Sequence, residues 1–443
     1  MTRGSFDAAA LTAITQHYAS ANRFMGNVLI AQADEIVYEA SFGYANLELN
    51  VLHSPAAKFR IASVTKLFTA AAIMVLEGRR LLHLEDTIDA YLPDFPDGEK
   101  ITVRHLLNHT SGIVNFTALP DFGRIAHNFH TLTEVIALFA GKPLEFEPVS
   151  QYAYSNSNYV LLTAILESVT KQSYPDALRD LVLEPLGLNA TGVDESTLVL
   201  PNRASGYFWA GGTYHHVIDG DMSVPTGAGA MYSTTKDLQR FARAICTGEL
   251  LGAEATERVF TLTATVSSDV KYGLGWRINT VAPQPVYCHG GNIQGFASYV
   301  SHYPQADVSI VTLSNHQGSP LDDLNVNLAL AIFGLFVKLP DFPVAIELPP
   351  AALEGLTGRY HLEPNVILEI TVEGAKLRLF IAGQGHYDVY ASARDHFFLD
   401  AIIAQFTFQR GTDGAATSIT WMQNGDITVA PRLEDGTEPL TKP

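Results

Sequence analysis

Two hydrophobic periods alternate along the first 340 or so residues, and only one persists beyond them. Residues 26–45, GNVLIAQADEIVYEASFGYA, read as a strand, a tight turn and a second strand. Residues 63–81, SVTKLFTAAAIMVLEGRRL, read as a helix with no charge between Leu67 and Leu76, so it must be buried all round. Further helices are predicted over 101–108, 131–140, 157–171, 174–183 and 234–246, and strands return in GWRINTV, GFASYVSHY and DVSIVTLSN. Strands at both ends with helices between them predict an α+β sandwich, its sheet closed by the two ends of the region and its helices forming a subdomain.

Residues 339–351 break this pattern. Pro340, Pro343, Pro349 and Pro350 crowd a stretch where proline stops helices and stiffens linkers. Beyond it, VILEITVE, KLRLFIA, HYDVYAS, HFFLD and QFTFQR are short, β-branched or aromatic, and separated by turn signals such as Glu373-Gly374 and Asp413-Gly414. Evenly spaced short strands without helical periods predict a small all-β barrel. The expected domains are therefore 1–338, a linker at 339–351, and a barrel at 352–443.

Composition narrows the classes. The chain has 443 residues, 47% hydrophobic and 17% charged, enough apolar content for large packed cores. Its net charge of −18 repels phosphate backbones and anionic membrane surfaces, so neither nucleic acid nor membrane is an expected partner. The longest apolar stretch, residues 326–337, is far short of the roughly 20 residues a bilayer span needs. Two cysteines cannot build a disulfide framework or a four-thiolate zinc site. The start has no apolar signal core, and a cytoplasmic location is expected.

The chemistry turns on which serine is reactive. No serine sits in G-x-S-x-G, so the α/β-hydrolase elbow is missing. The pattern S-x-x-K places a lysine one helical turn from a serine, and it occurs at Ser63–Lys66, Ser168–Lys171, Ser233–Lys236 and Ser268–Lys271. Ser168–Lys171 closes a helix, Ser233 stands at a helix N-cap, and Ser268 lies in a polar loop. Only Ser63 opens a helix whose next turns must be buried, where free N–H groups can hold an oxyanion. Lys66, at the mouth of that core, loses solvation, which lowers an ammonium pKa towards that of a useful base.

Two further stretches fit a serine–lysine site. Tyr154-Ser155-Asn156 precedes a helix, and a phenol beside a lysine ammonium has a lowered pKa and could take the serine proton. The same residues also read as a loop tyrosine with Asn156 or Asn158 as helix cap. His289-Gly290-Gly291 enters a strand, and its glycines let backbone approach a ligand closely. Other candidates read as structure. His215-His216 with Asp219 and Asp221 reads as a solvated loop rather than a metal site, and Cys288 points to the opposite strand face from His289.

These three stretches, with HTSGI at 109–113, EPLGL at 184–188, GAGAMYSTTKDLQRF at 227–241 and YGLGW at 272–276, resemble the penicillin-recognising serine hydrolases: class C β-lactamases, DD-peptidases, D-aminopeptidases and related esterases. The resemblance spans roughly residues 10–335. It implies Ser63 as the acylated nucleophile and Lys66 and Tyr154 sharing the acid and base roles. It also implies Asn156 binding the substrate amide, and an oxyanion hole from the N–H groups of Ser63 and Asn292, approached through Gly291. The resemblance also places His289 among the catalytic residues, at a position where many relatives have lysine, so weak β-lactam turnover is implied, and histidine there is similar to D-aminopeptidases. The C-terminal segment, with GRYHLEPN, GQGHYDVY and HFFLD, is similar to the lipocalin-like barrel appended to several D-amino-acid peptidases. There it takes part in oligomerisation or limits access to the site. The expected protein is a cofactor-free, metal-free hydrolase of small or short-peptide amides or esters, most similar to D-aminopeptidases, with carboxylesterase and penicillin-binding sensor as alternatives.

Overall fold

A computed structural model describes residues 7–433 apart from 211, 282, 364–365, 375, 382–384, 400–403 and 424–425. The chain divides into two compact units, residues 1–208 with 216–339, and residues 340–443 with 209–215.

In the first unit, strands β1 (Gly26–Gln32), β2 (Glu35–Phe42), β3 (Ala264–Thr265), β4 (Lys271–Tyr272), β5 (Arg277–Val281), β6 (Gln284–Ile293), β7 (Phe296–Tyr303) and β8 (Val308–Ser314) form one sheet. Their order is β3-β4-β5-β6-β7-β8-β1-β2, antiparallel throughout. The N-terminal hairpin thus adds to the C-terminal strands, as the distribution of strand patterns predicts. Central β8 is buried at every position, because helices cover both its faces. On one face, Ser301 and Thr312 bond Asn325 of a helix at Leu321–Ile332, at 2.6 and 3.0 Å. That helix also packs on the first helix, Ala8–Ser20, where Asn327 donates to the Tyr18 hydroxyl at 2.7 Å. On the other face, Val300, Val311 and Leu313 join the large helical core.

Within that core lie three helices, α1 (Thr65–Gly78), α2 (Asn156–Thr170) and α3 (Thr235–Cys246). The first is buried along nearly its whole circumference, including Lys66, as its uncharged run requires. The helix predicted over 174–183 starts at Tyr174 but widens into an i→i+5 turn at Arg179–Leu183 before ending at Leu186.

The second unit holds an eight-stranded antiparallel meander from Gly358–Glu363 to Asp426–Pro431. Its ends approach each other, with Tyr360 bridged to Arg432 and Leu433 N–H donating to the Arg359 carbonyl at 2.8 Å, so the sheet closes as a small barrel. Strand Lys376–Ile381 alternates buried and outward positions, and its inward residues meet Tyr360, Phe397, Phe406 and Trp421 in one core.

Candidate active site

Ser63 sits in a 3₁₀ turn, Ala62–Val64, that feeds directly into α1. Ala62 before it has φ of 47°, a left-handed conformation that costs a residue with a Cβ about 1–3 kcal/mol and that clusters at functional sites. The turn lifts Ser63 to a half-buried position, while Lys66, one turn on, is fully buried.

The lysine has three polar neighbours. Nζ lies 3.1 Å from Ser63 Oγ, 2.8 Å from Asn156 Oδ1 and 2.7 Å from the Ala228 carbonyl oxygen. The amide and carbonyl oxygens can only accept, so they occupy two N–H groups. The third neighbour, a hydroxyl, can give or take a proton. Among the described residues Lys66 has no carboxylate partner, and burial holds its pKa well below the usual lysine range. A neutral amine in this geometry points its lone pair at the serine hydroxyl.

Tyr154 lies close enough to Ser63 for the serine side chain to act on its phenol, and Lys66 Nζ lies 4.9 Å from its ring centre. The expected lowering of its pKa does not occur: burial pushes the phenol up. The expectation assumed a fully charged lysine, and burial works against that charge. Burial thus pushes the lysine pKa down and the phenol pKa up, favouring the neutral form of each.

The tyrosine is held by His109, at the start of HTSGI. Its carbonyl accepts from Ala153 N–H at 3.0 Å and its Nδ1 accepts from Ser155 N–H at 3.2 Å, one bond on each side of Tyr154. Its ring packs on Tyr154 at 4.4 Å between centres, and it adopts φ of 60°. Asn156 follows as the first residue of α2. Its N–H donates to Asn115 Oδ1 and its Nδ2 to Thr117 Oγ1, both at 3.0 Å, so its side chain is aimed from two directions.

The far wall is the edge of β6. A two-residue turn joins β6 to β7, with Ile293 facing Phe296. The closing pair of such a hairpin exchanges both hydrogen bonds and pairs alternate from there. Ile293, Gly291 and His289 therefore bond to β7, while Asn292 and Gly290 turn their N–H and C=O groups the other way. Strand β5 pairs with β6 only as far as Cys288, which leaves this edge unpaired at residues 289–293. A Cβ built on Gly291 would lie 2.6 Å from the Ile61 carbonyl and 2.7 Å from Ser63 N, so glycine is required for the strand to come this close.

His289 lies behind this wall. Its Nδ1 donates to the Gly290 carbonyl at 2.6 Å and its Nε2 is 2.9 Å from the Tyr272 hydroxyl. Both its nitrogens are engaged, and burial pushes its pKa down to about 3, which favours the neutral imidazole. Positive charge on this side comes from Arg277, which is exposed at the start of β5 and acts on Tyr152, Tyr154 and His289.

A cleft of about 330 Å³ opens in front of Ser63, lined also by Asn156, Asn292, Phe116, Phe122, Met222 and Asp221. The structure thus brings together Ser63, Lys66, Tyr154, Asn156, Gly291 and Asn292, and sets His289 one layer back. The other three S-x-x-K serines are structural. Ser168 bonds the Tyr91 carbonyl, Ser233 precedes the Thr234 N-cap, and Ser268 is exposed beside Asp269. Cys288 is buried and burial raises its thiol pKa. Sequence reasoning missed Asn115, Thr117, the Ala228 carbonyl, the imidazole of His109, and the place of Asp221 in the cleft. No group of three metal-ligating side chains occurs among the described residues, and among them no helix is long and apolar enough to cross a membrane.

An α+β sandwich with a serine, a buried lysine and a tyrosine converging at the edge of its sheet defines a serine hydrolase. The model of the Beta-lactamase family matches residues 12–333, and the chain belongs to that family. Residues 343–436 match a domain of unknown function, DUF3471. Among curated relatives, penicillin-binding protein 4* of Bacillus subtilis is 28% identical over 425 residues, covering 90% of this chain and 93% of its own. Among solved structures, a D-stereospecific amidohydrolase from Streptomyces is 27% identical with a TM-score of 0.64, covering 74% of this chain and 98% of its own. The octameric penicillin-binding protein homologue of Pyrococcus abyssi is 22% identical with a TM-score of 0.67, covering 96% of this chain and all of its own, and shares the fold.

Proposed function

We propose that this serine hydrolase cleaves an amide or ester through an acyl-Ser63 intermediate, acting on small or short-peptide substrates that carry a D-residue. The observation that carries the reading is the fully buried Lys66, its pKa lowered by burial, with Nζ 3.1 Å from the Ser63 hydroxyl and its other two neighbours able only to accept. As Ser63 Oγ attacks the carbonyl carbon, its proton passes to Lys66 Nζ. The carbonyl oxygen gains charge against the N–H groups of Ser63 and Asn292, where preorganised donors lower the barrier most. Tyr154, beside Ser63, hands a proton to the departing group and is reprotonated from Lys66, so the step balances. Water then replaces the leaving group and reverses the proton path, releasing the acid. Asn156 orients both the lysine and the incoming amide. His289 positions Tyr272 and the β6 edge.

The D-residue preference rests on the similarity to the Streptomyces amidohydrolase, named as D-stereospecific. A carboxylesterase is the second reading, favoured by the largely apolar cleft wall of Phe116, Phe122, Met222 and Val224. A penicillin-binding sensor uses the same residues but stalls after acylation. Turnover of D- and L-aminoacyl p-nitroanilides and of short p-nitrophenyl esters separates these. Faster cleavage of D- than L-aminoacyl anilides supports the peptidase, ester turnover alone moves the assignment to esterase, and a stable adduct without turnover moves it to sensor.

We further assign residues 1–338 as the catalytic domain and 352–443 as a barrel joined to it by 339–351. The barrel is assigned a role in self-association, in view of the octameric homologue. Light scattering on the full chain checks this, and a monomer at all concentrations rejects it.

A further inference from the structure

Among the described residues that line the cleft, Asp221 is the one charged side chain. The rest are apolar, small, or neutral polar groups. Its carboxylate is fixed rather than loose: Oδ1 accepts from Ser223 N–H at 2.9 Å and Oδ2 from Ser196 Oγ at 3.0 Å. Its own N–H donates to the Ala126 carbonyl at 2.9 Å, which pins the backbone. Burial alone would raise its pKa, but the bonds from Ser223 and Ser196 outweigh burial and hold it below the usual carboxylate value. It is therefore ionised at neutral pH.

Neighbouring acids contrast with it. Asp219, two residues earlier, is paired with Arg60 at 2.8 Å, and Asp194 is paired with both Arg60 and Arg203. Asp221 forms no ion pair among the described residues. The imidazole of His130 acts on it without closing one. An ionised, partly exposed carboxylate held in place by neutral donors and without a cationic partner is preorganised to receive a cation. A substrate that carries one gains a charge-assisted hydrogen bond there.

We infer that Asp221 anchors the free α-ammonium of an aminoacyl substrate whose carbonyl is presented to Ser63. The substrate class is then an α-amino amide or ester with an apolar side chain, which Phe116, Phe122, Met222 and Val224 receive. N-acylated and desamino analogues lack the cation and lose this contact. The inference rests on the hydrolase reading above and adds a specificity determinant to it.

The test compares the methyl esters of phenylalanine, in both enantiomers, with the methyl ester of 3-phenylpropionic acid, which differs only by the missing amine. Wild type, Asp221→Asn and Asp219→Asn are assayed for acid release at neutral pH. The ratio of kcat/KM for the amino ester over the desamino ester exceeds tenfold in wild type. In Asp221→Asn that ratio falls about 10- to 100-fold, through KM, as expected for one hydrogen bond to a charged group. In Asp219→Asn it stays within twofold of wild type. A ratio unchanged in Asp221→Asn overturns the anchor, as does a wild type that prefers the desamino ester. Either result leaves acylation at Ser63 standing. No turnover of any ester, with no covalent adduct at Ser63, removes the hydrolase reading and the anchor together.

Discussion

Replacing Gly291 by alanine adds one methyl group at the point where β6 passes the reactive serine. The new Cβ would lie 2.6 Å from the Ile61 carbonyl, 2.7 Å from Ser63 N and 2.8 Å from Ser298 Oγ. Two of these atoms are backbone in the turn that carries Ser63, so the strand and the turn must separate. Overpacking of this kind costs about 1–3 kcal/mol. At about 2–4 °C per kcal/mol for a domain of roughly this size, the melting temperature falls by a few degrees and the fold survives. The functional loss is larger. The N–H of Ser63 is displaced from the oxyanion position, and losing one such donor costs about 10²–10³ in kcat. Gly290→Ala is the matched control. Its Cβ would meet the Tyr299 ring at 3.0 Å, a side chain that can yield by a few tenths of an ångström, and nothing near Ser63. The assay is the rate of Ser63 phosphonylation by a fluorophosphonate, with loss of fluoride, alongside kcat on a p-nitrophenyl ester. A Gly291→Ala enzyme that is labelled and turns over within threefold of wild type, or a Gly290→Ala enzyme equally impaired, refutes the placement of the oxyanion hole.

Other outcomes follow from the site. The base is the neutral form of Lys66, so activity falls as pH drops through its folded pKa, and burial sets that pKa well below 10.5. Because His289 is pushed down to about 3, a pH–rate profile shows no histidine step near 6.5, and His289→Gln leaves the acid midpoint in place. His109→Ala removes the acceptor for Ser155 N–H and frees the segment carrying Tyr154. It lowers kcat at least tenfold with little change in KM and costs about 1–3 kcal/mol in urea unfolding. His109→Asn, which keeps an acceptor and tolerates φ of 60°, recovers part of both.

How much of this was legible beforehand differs residue by residue. The choice of Ser63 from four S-x-x-K copies rested on an uncharged run, and burial of α1 and of Lys66 follows from that run. The three-part order of serine–lysine, tyrosine–asparagine and histidine–glycine–glycine survives as proximity in space because α1, α2 and β6 meet at one sheet edge. What lay beyond reach was mostly backbone. The Ala228 carbonyl that saturates Lys66 has no side-chain signature, and neither does the free edge of β6, which depends on where β5 stops. Asp221 was read with its polar loop, and only the fold turns it towards the cleft. The direction of the Tyr154 shift was misjudged because the charge of Lys66 depends on how deeply it is buried, a tertiary quantity. The helices at Ala8–Ser20 and Leu321–Ile332 lie in stretches weighed only for export and membrane length.

The central claim is that Ser63, activated by Lys66, forms the acyl-enzyme. Intact mass after incubation with a fluorophosphonate probe tests it most directly, on wild type, Ser63→Ala and Lys66→Ala. The account predicts a single adduct on wild type, none on Ser63→Ala, and labelling slowed at least a hundredfold on Lys66→Ala, since a positioned base contributes about 10²–10⁴. An adduct that persists on Ser63→Ala, or a wild type that takes none while properly folded, contradicts it.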